Sequence, residues 1–264
     1  MKFKMLLTAA AAAVALAASF TANAAPIYPV FTVSPATTAA FDANDLTGQY
    51  FEKLTFTSAT QFYVSLIFVA GQFTLDDPDS PVIYNAGQSG LGLNYGLYAT
   101  LMGQGTYSTT GGTTTFNLTT GTLSLMLDPT NTNGAIHAPT DAFSAYTVTD
   151  PGVNDVLLGT GTQAVGVGIS KCTGGNNCGS FGQTVNFALT AAGSNFFTDP
   201  VPFYNIALTS GQFTGVNPVV GATIASTGSA NTVFNVPEPT SLALAGLALI
   251  GLGFTRRRSS SSKV

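Results

Sequence analysis

Apolar side chains in the middle of this chain recur at every second position, and between residues 30 and 235 no stretch sustains a helical stripe for more than two turns. Phe62, Val64, Leu66 and Phe68 alternate with Tyr63, Ser65, Ile67 and Val69. Tyr95, Leu97, Ala99 and Leu101 alternate with Gly96, Tyr98, Thr100 and Met102, and Phe116 and Leu118 lie near Leu123, Leu125 and Leu127. Successive side chains of a strand point to opposite faces, so this period reads as strands. Gly111-Gly112, between Tyr107 and Phe116, supplies the positive φ of a tight hairpin turn. Asp76-Asp77-Pro78-Asp79, Asp128-Pro129, Asp150-Pro151-Gly152 and Asp199-Pro200 mark further turns. A single short helical turn fits residues 36–45. The pattern predicts an all-β body over residues 25–235, an antiparallel β-sandwich.

Charge narrows the partners. Between Ala25 and Asn235 the only cations are Lys53 and Lys171, against eleven Asp and Glu residues, a net charge of −9. Nucleic acid is bound through lysines and arginines that displace counterions, so a phosphate-backbone reader is excluded. Electrostatic docking on an anionic membrane is excluded for the same reason. With so few charges, the surface must consist largely of Thr, Ser, Asn, Gln and Gly.

The two ends read as addresses. Lys2 and Lys4 precede an alanine-rich apolar run from Met5 to Phe20, and Ala22-Asn23-Ala24 precedes Ala25-Pro26. This is the pattern of a secretory signal peptide over residues 1–24, a signal helix cut by signal peptidase between Ala24 and Ala25. At the other end, Ser241 to Thr255 is apolar and precedes Arg256, Arg257 and Arg258. Fifteen helical residues span roughly 22 Å, short of the roughly 30 Å hydrocarbon core, which makes this a marginal transmembrane helix. The arginines stay on the cytoplasmic side, which puts the body on the far side of the membrane. Pro237 and Pro239 lock φ and remove two backbone donors, so the chain there is extended and open to a processing enzyme.

Pro237, Glu238 and Pro239, followed by a short Leu/Ala/Gly-rich helix and an arginine cluster, resemble the PEP-CTERM sorting signal over residues 236–264. The resemblance implies processing by an exosortase, a membrane-embedded transpeptidase-like cysteine protease. It makes Pro237, Glu238 and Pro239 the sorting motif and gives Arg256, Arg257 and Arg258 the role of holding the precursor in the membrane. It also implies export from an exopolysaccharide-producing bacterium, by way of an inner-membrane-anchored precursor that ends outside the cell or on its surface. Four runs inside the body, beginning at Asp45, Leu91, Thr122 and Asn195, are similar to the flocculation-associated PEP-CTERM proteins. That likeness implies a secreted protein required for cells to aggregate together with exopolysaccharide.

Little in the body suggests chemistry. Cys172 and Cys178 flank a short polar loop, and an even count in an oxidising compartment favours one disulfide. Zinc is the rival reading, but a single histidine makes a four-ligand site hard to assemble, and no metal or other cofactor is expected. That histidine, His137, stands near Asp141, yet no Gly-x-Ser-x-Gly elbow is present and a solvated loop position explains it. Glu52 is the only glutamate of the body, and the aspartates mostly sit beside Pro or Gly, where turn formation accounts for them. Calcium could be held by the Asp76 to Asp79 loop or the Asp128 to Gly134 loop, but neither fits the register of an EF-hand.

The expectation is therefore a non-enzymatic extracellular structural or adhesive protein, a substrate of signal peptidase and exosortase. Its partner would be exopolysaccharide, its role cell aggregation, and its only membrane contact the C-terminal helix before processing. The alternative is a secreted carbohydrate-binding module, in which aromatic rings on one sheet face stack on sugars, although the chain has no tryptophan.

Overall fold

The computed structural model describes residues 28–76, 80–171, 178–210 and 215–235. The signal segment, Cys172 and the whole 236–264 segment, with Pro237 to Pro239 and Arg256 to Arg258, lie outside the described residues. In chain order the strands begin with β1 (Phe31–Val33), β2 (Phe41–Ala43), β3 (Asp45–Phe56), β4 (Gln61–Leu75) and β5 (Val82–Ile83). After the short helix α1 (Ala86–Ser89) come β6 (Gly96–Thr110), β7 (Thr113–Asp128), β8 (Ile136–His137), β9 (Thr147–Val148), β10 (Val156–Ser170) and β11 (Gly179–Leu189). Helix α2 (Ala191–Phe196), β12 (Phe197–Asp199), β13 (Asn205–Ser210) and β14 (Thr223–Asn235) complete the order. Residues 36–45 hold a turn and the strand β2 in place of the expected helical turn.

The body is a closed barrel and not the expected sandwich. Eight strands, β3, β4, β6, β7, β10, β11, β13 and β14, each pair antiparallel with the next in chain order. The last then pairs with the first, from Thr223↔Thr55 to Val233↔Asp45. Period-two alternation says that a sheet has a dry face and a wet face. It does not say whether that sheet folds onto a second one or curls until its edges meet. Here the strands curl. Seven of them are 11 to 16 residues long, long enough to coil around the interior.

Register shifts interrupt the β3–β4, β6–β7, β7–β10 and β10–β11 ladders, and bulges of this kind add twist and bend to a sheet. Glycine makes two of these bends possible. A Cβ at Gly48 would run into the Val69 carbonyl oxygen and the Phe68 ring, and one at Gly105 into the Asn117 carbonyl oxygen. The turn between β6 and β7 is the predicted one: Gly111 and Gly112 have φ of 58° and 79°, and Thr110 pairs with Thr113.

Inside, aliphatic and aromatic side chains fill most of the space. One end is plugged by the small sheet β12-β1-β2, which seats the Phe31 ring 4.4 Å from Phe234, 5.9 Å from Phe197 and 6.2 Å from Phe203. On the outside, the β7–β10 connection crosses β3 and β4. The Ala142 amide donates to Thr55 Oγ1 at 2.9 Å, and the Phe143 ring lies 4.9 Å from Tyr63. Among the described residues no helix is long and apolar enough to cross a membrane.

Candidate functional site in the barrel lumen

Alternation places Gly48, Tyr50, Glu52, Leu54 and Phe56 of β3 on the inner face, and on β11 it places Phe181, Gln183, Val185 and Phe187 there. Two long polar side chains, Glu52 and Gln183, therefore enter the lumen from strands that have β14 and β13 between them, with the buried inward hydroxyls of Ser210, Ser226 and Thr232 on those two strands. Glu52 and Gln183 are each 7% exposed and line one cavity of about 50 Å3. Its other walls include Leu54, Phe62, Leu66, Leu101 and Phe116. Glu52 Oε2 and Gln183 Nε2 have no hydrogen-bond partner among the described residues. Buried polar atoms are nearly always paired, so two orphans on side chains that line one cavity stand out.

Burial pushes the Glu52 carboxyl up from 4.5 to about 8, because a carboxylate is costly to hold away from water. At neutral pH it is a neutral acid, able to donate or accept a hydrogen bond. Tyr50, one step along the same inner face, is raised to about 12, first by burial and then by Glu52; the Ser226 and Ser210 hydroxyls partly offset this. Its ring meets Phe181 edge-on at 5.3 Å.

Gly168 of β10 makes the room. Its alpha carbon lies between Phe116 and Phe181, its pairing partners on the two neighbouring strands. A Cβ there would sit 3.4 Å from Phe181 Cβ and 3.6 Å from Phe116 Cβ, ordinary contact distances. Backbone packing therefore does not require glycine at this position. A second, apolar cavity of about 20 Å3 shares the Leu66 and Leu101 walls and is otherwise lined by residues such as Phe68, Leu123 and Leu208.

Among the described residues, His137, Asp141, Asp128 and Cys178 do not line the cavity at Glu52 and Gln183. His137 is exposed on β8, and its Nε2 lies 2.6 Å from Thr149 Oγ1, while Asp141 Oδ1 accepts from the Phe143 amide at 3.0 Å. Asp128 accepts from the amides of Thr130 and Asn133, at 3.1 and 2.7 Å, the bonds by which an aspartate fastens a turn. Among the described residues no group of three or more His, Cys, Asp or Glu is placed to hold a metal ion. Cys178 is buried at the foot of the β10–β11 connection, where its carbonyl accepts from the Lys171 amide at 2.6 Å.

Sequence reading passed over Gln183 and gave Glu52 no role. The signal was available in the alternation itself: Glu52 shares the parity of Tyr50, Leu54 and Phe56, and Gln183 that of Phe181, Val185 and Phe187.

The outer wall differs in kind. The contiguous strands β6, β7, β10 and β11 carry no Lys, Arg or Glu, and their one charged residue is Asp128, buried at the end of β7. Their outward side chains include rows of hydroxyls and amides, Thr100 beside Ser124 beside Thr160 and Thr162 beside Asn186, together with the exposed apolar Leu157, Val165 and Val167 of β10. A groove of about 280 Å3 runs along this wall, lined by Tyr63, Met102, Gln104, Thr120, Thr122 and Phe143 among others.

The barrel's last strand ends at Asn235, paired with Asn205. No curated protein and no solved structure matches the chain. Residues 235–258 match the PEP-CTERM protein-sorting motif, so the chain carries the signal of an exosortase-targeted extracellular protein, and that signal begins at the last residue of the strand that closes the barrel.

Proposed function

We propose that this protein is an exported, exosortase-processed barrel that acts outside the cell as a structural or adhesive component, associating with exopolysaccharide and promoting cell aggregation, with no catalysis of its own. The observation that carries this reading is the wall of β6, β7, β10 and β11, whose one charged residue, Asp128, is buried. Its hydroxyls and amides exchange hydrogen bonds readily with a neutral, hydroxyl-rich polymer, and it offers no counter-charge to a charged one. Because the sorting motif starts where β14 ends, removal of the segment from Pro237 onward leaves every barrel strand intact.

Pull-down of the secreted protein on the producing organism's own polysaccharide tests this. Retention should be nearly unchanged between low and high salt, since the wall carries no ion pairs to screen. Retention that vanishes as salt rises, or is absent at any salt, would count against the reading, as would a deletion strain that flocculates normally.

The alternative, a carbohydrate-binding module, is favoured by the groove beside Phe143, a residue that is 52% exposed. Its rings are not a flat platform, for Tyr63 and Phe143 meet at 63°. On this alternative Phe143→Ala abolishes retention; on the distributed-wall reading the variant binds nearly as wild type does.

Within the same proposal Cys172 and Cys178 form a local disulfide that clips the β10–β11 connection. A loop so short contributes about 2 kcal/mol through unfolded-state entropy. Thiol titration of the denatured secreted protein should find no free cysteine, and two free thiols would remove the bridge.

A further inference from the structure

We propose that the barrel lumen binds a small neutral alcohol or amide, its polar head held between Glu52 Oε2 and Gln183 Nε2 and its apolar body lying against Leu54, Phe62, Leu66, Leu101 and Phe116. The inference is independent of the glycan reading, which concerns the outer wall.

Three observations converge. First, the cavity of about 50 Å3 is lined by two side chains, each more than nine-tenths buried, that carry an unpartnered polar atom among the described residues. Gln183 Nε2 can only donate, so the head must present an acceptor oxygen. Glu52, neutral at pH 7, can give or receive the second hydrogen bond. A hydroxyl or a carboxamide meets both demands.

Second, water is a poor tenant. A buried water typically makes about three hydrogen bonds. Here Glu52 and Gln183 are the only polar side chains among the described residues of the lining, and the rest is leucine, valine, phenylalanine and glycine. A molecule that satisfies the two polar atoms and covers the apolar walls suits the cavity better.

Third, the space is not a by-product of strand packing. Gly168 could carry a side chain at ordinary contact distance, and leaving it bare keeps the lumen open between Phe116 and Phe181. By contrast, a Cβ at the neighbouring inward glycine, Gly166, would collide with the Gly182 carbonyl oxygen.

Charge sets the selectivity. Among the described residues no Lys, Arg or His lines the cavity, so an anion would be buried unpaired beside a carboxyl group. A protonated amine offers no acceptor for Gln183. Size limits the body: the second cavity lies behind Leu66 and Leu101, so only a longer ligand that moves those side chains reaches it.

NMR titration of the secreted protein with 1-butanol, butyramide, butyrate and butylammonium reads this directly. Saturable shifts at Glu52, Leu66, Leu101, Gly168 and Gln183 are expected for 1-butanol and butyramide, with affinity at least tenfold weaker for the two charged probes. Gly168→Val, which fills the space, should abolish the shifts. Gln183→Leu, which keeps the volume and removes the donor, should weaken butyramide at least tenfold and serves where the valine variant does not fold. Absence of saturation with all four probes would overturn the proposal. So would equal affinity for butyrate, or wild-type affinity in the folded Gly168→Val or Gln183→Leu protein.

Discussion

Glu52→Gln is expected to raise the stability of the folded protein substantially at pH 8 and to change it by less than about 1 kcal/mol at pH 4. In the barrel the carboxyl titrates near 8, and in the unfolded chain it titrates near 4.5. Between these values the unfolded chain binds fewer protons than the folded one, so stability falls as pH rises. It is undiminished below about 4.5, declines through the window, and levels off above about 8. At roughly 1.4 kcal/mol per pKa unit the loss is on the order of 5 kcal/mol, comparable to the whole stability of many domains.

Neighbouring groups do not cancel it. Tyr50 and Tyr146 are both pushed up to about 12, first by burial and then by Glu52, and stay neutral throughout. Asp45, held up to about 6 by burial with Asp76 nearby, adds a smaller decline of the same sign between 3.8 and 6. Glutamine keeps the shape of the side chain and removes its titration. Urea unfolding of both proteins from pH 4 to pH 9 should therefore show wild type weakening on the alkaline side. The variant should retain only the share owed to Asp45. A wild-type profile that is flat or rising from pH 5 to pH 8 would contradict the burial of Glu52.

Much of the wall was legible in sequence because alternation and turn chemistry are local. Phe62 to Phe68 form part of β4, Tyr95 to Leu101 lead into β6, and Gly111-Gly112 make the tight hairpin turn. Closure was not legible, since it depends on β14 meeting β3 across nearly the whole body and on bends at Gly48 and Gly105. A glycine in a strand reads equally as a weak spot or as a corner until its neighbours are known. The lumen site was half legible. Parity puts Glu52 and Gln183 on inner faces, but only the curling of the sheet brings β3 and β11 around one cavity. The plug was hidden for a similar reason: β1, β2 and β12 are three residues each, too short for any period to show.

The sorting motif carries the other large effect. Its match begins at Asn235, where the barrel is complete, so processing and folding are separable along the chain. Replacing Pro237, Glu238 and Pro239 together by alanine is expected to leave the barrel's stability unchanged and to stop processing almost completely. The precursor should then accumulate in the membrane fraction with its arginine tail attached. Loss of the barrel fold in that variant, or normal release of it, would separate the motif from the role assigned to it.

The most direct measurement is the intact mass and C-terminal residue of the extracellular protein, from cells with and without their exosortase. With the enzyme, the chain should end within or near residues 237–239, lack Arg256 to Arg258 and retain β14 through Asn235. Without it, the full tail should persist and the protein should remain with the membrane. A full-length chain ending at Val264 and reaching the medium in both strains would show that the barrel is not an exosortase cargo.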